Sequence, residues 1–365
     1  MQTIRVLNVL GALDVGGTEI RLLGLMPEQI SAGVTHDFLC LSGNRGALAP
    51  QFEEFGCSVF PLELRPRSLP AIFRLLKFGE YKFVHSRVAT FSGYILLIAF
   101  MAGLPGRIAH FHSDSDEGGT ELRRRVQRFV GRALIRAFAT HVLAVSPEAM
   151  SFSGIDPDTS RKHTKLVPGG VGVPSFDPEG RSGGRDSQAG GELHRVANVG
   201  RPAKDKRREL AARVVEACGT DFVIEFIGRD GPDLELVRRR ASEKGLRVPV
   251  THGIRSDVQV LLAEYDCLLS TSSVEGLPGV VLEALSVGTP VVTSRLSGAV
   301  WISSQIRGVF LVDVDAPVSD WAEAVRLACS VPPDVRRKIR SDFQGSPFVL
   351  SAASSALASI YSQSE

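Results

Sequence analysis

The chain has little of what would make it a metal protein, a disulfide scaffold or a membrane-spanning protein. Its five cysteines, Cys40, Cys57, Cys218, Cys267 and Cys329, are odd in number and scattered, with no C-x-x-C pair and no metal-ligand spacing. That pattern excludes a disulfide framework and reads as buried thiols in a reducing compartment. Long apolar runs are also missing. The most hydrophobic stretch, 94–104, is roughly half of what a bilayer crossing needs, and it predicts a buried helix. No small-residue cleavage site follows the opening apolar run, so no secretory signal is read there and a cytoplasmic setting is expected. An excess of one charge is absent as well. Lys and Arg number 42 against 40 Asp and Glu, for a net charge of +2, which gives no support to nucleic acid as a partner.

What is present is ordinary globular material, 44% hydrophobic and 22% charged, a balance that leaves little room for extended disorder. A length of 365 residues is more than one hydrophobic core usually serves, so two domains are expected. Short apolar runs alternate with amphipathic stretches, the signature of βαβ units and parallel sheets. In the first half, strands are predicted at 4–10, 36–41, 58–61, 83–86, 107–112 and 141–145, with helices at 18–29 and 122–138 among them. Residues 174–191 are rich in Gly, Ser, Pro and Asp and read as a linker. The alternation then resumes, with strands at 196–199, 222–228, 248–253, 267–270, 291–294 and 308–312. Helices are predicted at 207–217, 234–244, 258–265, 280–287, 318–329 and 334–343, and a last stretch runs over 347–361. The reading is α/β: domains at 1–172 and 194–345, a linker at 173–193, and a terminal helix at 346–365. In doubly wound halves, ligands bind beyond the carboxyl ends of the strands, so functional residues belong in the loops that follow strands.

The richest segment runs from Glu275 through Gly276, Leu277, Pro278, Gly279, Val280 and Val281 to Glu283, continuing to Gly288, Thr289 and Pro290. One carboxylate lies in a Gly/Pro loop after a strand; the other lies in the opening turns of a helix whose free amides make an anion site suited to a diphosphate. A carboxylate early in a helix is also favoured by the helix dipole alone.

This string resembles the E-x7-E signature of glycosyltransferase family 4, retaining enzymes with the GT-B fold of two Rossmann-like doubly wound domains facing a central cleft. The resemblance implies that Glu275, with the backbone of Leu277, Pro278 and Gly279, contacts hydroxyls of the transferred sugar, that Val280 and Val281 offer amides to the diphosphate, and that Glu283 binds the ribose. Gly200-Arg201 followed by Lys206 resembles the family's "GR…K" element, whose two cations grip the donor diphosphate. Lys204 competes with Lys206 for that role, and a solvated basic loop is the plain alternative. Gly16, Gly17 and Thr18 resemble the N-terminal glycine loop that closes over the donor phosphate and faces the acceptor, although for Gly16 a tight strand-to-helix turn serves equally. It is not G-x-G-x-x-G, so a nicotinamide fingerprint is not supported.

His110 and His112 end a predicted strand. His112 matches the family's histidine near the reacting carbon, His110 is the second choice, and His85 is expected to line the acceptor side. The two histidines at i and i+2 share a strand face, but no third ligand accompanies them and no metal is expected. Asp114-Ser115-Asp116 spells a D-x-D and is read as a loop or helix cap. Val167-Pro168-Gly169-Gly170 resembles the family's "vPNGvd" phrase with Gly169 in place of Asn. Gly228 lies in an "iGdGp"-like phrase, and His252 and Gly253 are expected near the nucleobase. Asp266 and Ser272 fit the lead-in to the E-x7-E loop, and the stretch through Phe348 and Tyr361 resembles the family's closing helix, which crosses back to the first domain.

The helix 122–138 carries Arg124, Arg128, Arg132 and Arg136 at four-residue steps beside an apolar stripe of Val126, Phe129, Val130, Ala133, Leu134 and Ala137. Such a helix can lie on an anionic membrane surface; the alternative is a solvated basic face over a stripe packed into the core. The resemblance implies a metal-independent retaining glycosyltransferase of polysaccharide or glycolipid assembly. It would need no cofactor beyond a nucleotide-sugar co-substrate, with a UDP-sugar favoured over a GDP-sugar, and would act on a glycan or lipid-linked acceptor at the inner membrane face. A nucleotide-sugar epimerase on the same scaffold, which would convert donor without acceptor, and a non-catalytic sugar-nucleotide binder are the rival readings.

Overall fold

The computed structural model describes residues 3–112, 122–156, 163–176 and 193–363. The D-x-D at Asp114–Asp116 and most of the expected linker lie outside those residues. The chain forms two compact units, Met1–Gly170 with Leu350–Glu365, and Val171–Val349.

The first unit is a parallel sheet of β1 (Ile4–Leu10), β2 (Val34–Cys40), β3 (Val59–Pro61), β4 (Phe83–Ser86), β5 (Gly106–Phe111), β6 (His141–Ala144) and β7 (His163–Leu166), in the spatial order 3-2-1-4-5-6-7. Its helices are α1 (Gly17–Ser31), α2 (Ala49–Glu54), α3 (Leu69–Phe78), α4 (Ser92–Met101), α5 (Leu122–Phe138) and α6 (Pro147–Ser153). Central strands such as β1, with sequence IRVLNVL, are apolar almost throughout because both faces of a parallel sheet are covered.

The second unit has β8 (His194–Val199), β9 (Phe222–Ile227), β10 (Val250–Thr251), β11 (Cys267–Ser270), β12 (Val291–Ser294) and β13 (Val309–Val312), in the order 10-9-8-11-12-13. Helices α7 (Arg208–Cys218), α8 (Pro232–Glu243), α9 (Val258–Leu262), α10 (Gly279–Ser286), α11 (Ser297–Gln305), α12 (Val318–Cys329) and α13 (Pro333–Gln344) cover it. In each sheet the order reverses beside the first strand of the unit, between β1 and β4 and between β8 and β11, which is where open α/β sheets bind ligands.

The last helix, α14 (Leu350–Ser362), belongs to the first unit. Its Ala353, Leu357, Ile360 and Tyr361 enter the core made by Val6, Phe38, Phe83 and Ile108. Each large side chain so buried contributes about 2 kcal/mol. Gln29 on α1 donates to both the carbonyl and the hydroxyl of Ser354, each at 2.8 Å. The preceding residues stay with the second unit, where the Val171 amide donates to the Phe348 carbonyl at 2.9 Å.

Helix α5 occupies the expected span, and its apolar stripe is divided, with Val130 and Leu134 half-buried and the N-terminal part exposed. Val126 and Phe129 are 54% and 72% exposed, and Leu122 is 77% exposed. The helix packs instead through Gly131 and Ile135. A Cβ placed on Gly131 would lie 2.3 Å from the Thr90 carbonyl oxygen, and one placed on Gly93 of α4 would lie 2.3 Å from the Gly131 carbonyl oxygen. Two bare backbones thus meet there, with Leu134 of the stripe beside them. Among the described residues, no helix is long and apolar enough to cross a membrane.

Candidate functional site

In the second unit the loops after β8, β9 and β10 are laced together by backbone. The Gly200 amide donates to Ile227 O at 2.9 Å, and the Gly228 amide to Gly253 O at 2.8 Å. Gly228 has φ +141°, and a Cβ there would meet the Gly200 carbonyl oxygen at 2.2 Å. Glycine is therefore required at 228 both for conformation and for close approach.

The loop after Arg201 is fixed from two directions. Thr271 Oγ1 donates to the carbonyls of Lys206 and Arg207 at 2.9 and 3.1 Å, and the Ser273 amide donates to Asp205 O at 2.8 Å. Below it, buried Arg208 forks onto both carboxylate oxygens of Asp233 at 2.6 Å. This scaffolding brings the Lys206 ammonium onto the Glu275 carboxylate as an ion pair. Lys204 is exposed, so Lys206 is the lysine that meets Glu275. Arg201 is 69% exposed at its side chain, with Asp205 at 3.7 Å, and its guanidinium stands in solvent beside the same loop.

The segment Glu275–Gly279 leads into α10, whose N-cap is Pro278. The amides of the first turn, Gly279 to Val281, have no partner within the helix and point out of its start. Glu283 lies one turn further in and is half-buried; its carbonyl accepts from Ser286 Oγ at 2.7 Å. The loop rests on α11, where a Cβ on Gly298 would meet the Gly276 carbonyl oxygen at 2.0 Å.

His252 and Gly253 follow β10. The ring of His252, expected near a nucleobase, leans back onto Glu225, with Nε2 2.6 Å from Oε2. Glu225 also accepts from Tyr265 at 2.8 Å and from Arg195 at 2.9 Å. Burial would raise the Glu225 carboxyl, but these three donors outweigh it and hold the group below the usual carboxylate range.

In the first unit a small pocket, partly open to solvent, is lined by Thr18, Arg21, Arg87, His110, His112 and the apolar side chains of Leu22, Leu25, Ala353 and Leu357, among others. His112 follows β5 directly. His85 does not line this pocket: it is fully buried, which corrects the expectation that it faces an acceptor. Its ring bonds to Tyr361 on one side, at 2.6 Å, and to His110 on the other, at 3.1 Å. At the centre stands Arg87, which follows β4 and which sequence reasoning did not single out. Its guanidinium reaches His110 at 2.9 Å, His112 and Asn8 at 3.3 Å, and His85 at 3.4 Å. No motif marks Arg87; its position emerges only when β4 pairs with both β1 and β5.

The histidines here are neutral. Burial, followed by the Arg87 charge, pushes His85 and His112 well below the ordinary imidazole value. Burial, then His112 and Arg87, does the same for His110. The same two causes as for His85 carry His36 down to about 3. Glu19, early in α1, is raised by burial, a rise partly offset by its own backbone hydrogen bond and by Arg87.

Gly16, Gly17 and Thr18 form the entry to α1, with Gly16 extended at the N-cap. Gly169 provides room for a neighbour: a Cβ there would sit 2.9 Å from Cδ of Arg21. Among the described residues no group of three or more His, Cys, Asp or Glu is arranged to hold a metal ion.

Comparison with known proteins matches residues 16–158 to the glycosyl transferase 4-like domain and residues 194–330 to the glycosyl transferases group 1 domain. EpsF of Bacillus subtilis (strain 168), which carries a glycosyltransferase name, is 27% identical over 340 residues, covering 89% of this chain and 88% of its own. The capsular polysaccharide biosynthesis glycosyltransferase CapH of Staphylococcus aureus is 25% identical over 309 residues, covering 80% of this chain and 82% of its own. Among solved structures, Anabaena HepE in complex with UDP superposes with a TM-score of 0.80 at 19% identity over 99% of this chain and 100% of its own. The same protein with UDP-glucose gives 0.75 at 18% identity, over 98% and 99%.

Proposed function

Starting from a chain that belongs to the GT-B glycosyltransferases, with a 4-like domain followed by a group 1 domain, we propose a retaining enzyme that moves a sugar from a UDP-sugar to a hydroxyl of a glycan or lipid-linked acceptor. It works without a metal, and its place is polysaccharide assembly. The observation that carries the proposal is the Lys206–Glu275 pair at the mouth of α10, with the Arg201 guanidinium exposed beside it. Two cations and a helix start in one place suit a diphosphate whose charge grows as it leaves. UDP is favoured because HepE was solved with UDP and with UDP-glucose. The named role of CapH supports polysaccharide assembly.

In this reading Arg201, Lys206 and the amides of Gly279, Val280 and Val281 hold the diphosphate. Glu275 and the backbone of Leu277 and Pro278 hold sugar hydroxyls, and Glu283 holds the ribose. Gly228 and the backbone of His252 and Gly253 border the nucleotide. The bond from the anomeric carbon to the diphosphate oxygen breaks, and a bond to the acceptor oxygen forms on the same face. The acceptor's proton passes to the departing diphosphate. Gly16, Gly17 and Thr18 at the entry to α1 and His112 after β5 serve substrate. The exposed apolar positions of α5, flanked by arginines, are proposed to touch the anionic inner face of the cytoplasmic membrane.

Thermal shift of the full-length protein against UDP, GDP, UDP-glucose and GDP-mannose, with and without EDTA, tests the donor assignment. A metal-insensitive rise in Tm with the uridine ligands is expected, about 2.7 kcal/mol of stabilisation when ligand is a hundredfold above Kd. No response to any nucleotide overturns it.

A further inference from the structure

The network around Arg87 has one proton arrangement that satisfies every contact. His110 Nε2 faces the Val167 carbonyl at 3.2 Å, so that nitrogen carries the proton and Nδ1 accepts. Two donors point at that Nδ1, Arg87 Nη1 at 2.9 Å and His85 Nε2 at 3.1 Å. His85 therefore carries its proton on Nε2, and its Nδ1 accepts from the Tyr361 hydroxyl at 2.6 Å and from Arg87 Nη2 at 3.4 Å. The remaining N–H of Arg87 Nη1 meets His112 Nε2 at 3.3 Å, and that of Nη2 meets Asn8 Oδ1 at 3.3 Å. A guanidinium cannot accept, so His112 Nε2 must. The proton of neutral His112 is then on Nδ1, which has no partner among the described residues, on a ring that lines the pocket.

We infer that Arg87 is a positioning residue that holds His112 as a neutral Nδ1–H donor, so that His112 gives a hydrogen bond to the bound sugar or acceptor and does not serve as a general base. The inference rests on the proposed transfer reaction for its functional half only; the tautomer stands on the geometry. Arg87 after β4 and Arg21 on α1 set two cations near the ring, and the His110 ring lies 4.3 Å from it, centroid to centroid. Glu19 on α1 is the acidic group that faces Arg87, and His85 and Tyr361 lie beyond His110 and Arg87. Burial and the charges of Arg87 and Arg21 oppose a proton on His112. The ring's one lone pair faces Arg87 at 3.3 Å, and in the proposed reaction the leaving diphosphate takes the acceptor's proton.

Long-range proton–nitrogen NMR of the full-length protein with ¹⁵N-histidine tests this directly, with assignment by single substitution. At neutral pH His112 is expected as the Nδ1–H tautomer and His85 and His110 as Nε2–H, with none of the three titrating between pH 6 and 8. Arg87→Lys, which keeps a cationic donor, should preserve the His112 pattern, and Arg87→Met should mix its tautomers. An Nε2–H or doubly protonated His112 in the wild-type protein overturns the inference. A second arm uses UDP-glucose turnover in His112→Asn and His112→Gln, since an Asn amide occupies the place of Nδ1–H and a Gln amide that of Nε2. Asn should exceed Gln by about tenfold, one hydrogen bond's worth, and equal or reversed rates count against it. If the wild-type protein turns over no UDP-sugar, the donor reading fails while the spectra still decide the tautomer.

Discussion

Tyr361 and His85 meet at 2.6 Å, hydroxyl to ring nitrogen, across 276 positions of chain. The contact ties the last helix to a central strand of the first unit, and it is fully buried at both ends. Tyr361→Phe keeps the ring's packing and removes the donor. A loss of about 1–3 kcal/mol is expected for a buried acceptor deprived of its best partner, read as a lower urea midpoint with unchanged slope. An unchanged midpoint would show that the Arg87 contact compensates and that the hydroxyl has no stabilising role.

The neutral histidines predict early acid sensitivity. Folded-state values of His36, His85, His110 and His112 lie below the ordinary 6.5, so between those values and 6.5 the unfolded chain binds more protons. Their contribution is complete above pH 6.5 and is lost as pH falls below it, down to the folded values. Each histidine contributes a slope of about 1.4 kcal/mol per pH unit within that window. Denaturation at a series of pH values from 7.5 to 5 should show stability declining well above the carboxylate range; a flat profile to pH 5 would contradict the neutral cluster.

Gly298 is predicted to control the Glu275 loop without touching ligand. Gly298→Ala drives a methyl against the Gly276 carbonyl oxygen, so the loop must shift. UDP-glucose turnover should fall by about tenfold or more, as expected when reacting groups are displaced by a fraction of an ångström, while circular dichroism stays native. Full activity in a folded variant would show that the loop tolerates movement.

The outer face of α5 predicts a salt-dependent membrane contact. Flotation with vesicles containing anionic phosphatidylglycerol should recover the protein, and pure phosphatidylcholine should not. Phe129→Ser should weaken recovery severalfold, and raised salt should do the same because the arginines are screened. Equal recovery by both vesicle types would remove the membrane from the account.

Much of the fold was legible because buried parallel strands are nearly unbroken apolar runs. The extents of β1, β4, β11 and β12 follow from the sequence alone. The short helices α2 and α11 and strand β7, with its polar sequence HTKL, carry too little periodicity to be read. On α5 the sequence left two readings open because hydrophobic periodicity identifies a helix face but not what covers it: Val126 and Phe129 lie exposed, while Gly131 and Ile135 are buried. In the second unit the E-x7-E string and the lysine at 206 are local signals that the fold brings together. In the first unit Arg87 had no local signal, because its meaning comes from strands that are neighbours only in space. Gly169, a departure from the family phrase, became intelligible once Arg21 was seen against it.

Calorimetric titration of the full chain with UDP in EDTA tests most directly whether Arg201 and Lys206 hold a diphosphate at the start of α10. The wild-type protein is predicted to bind, and Arg201→Ala with Lys206→Ala to bind on the order of a hundredfold more weakly, the loss of two charge-assisted contacts. Wild-type affinity in the double variant, or no binding of UDP by the wild-type protein, would contradict it.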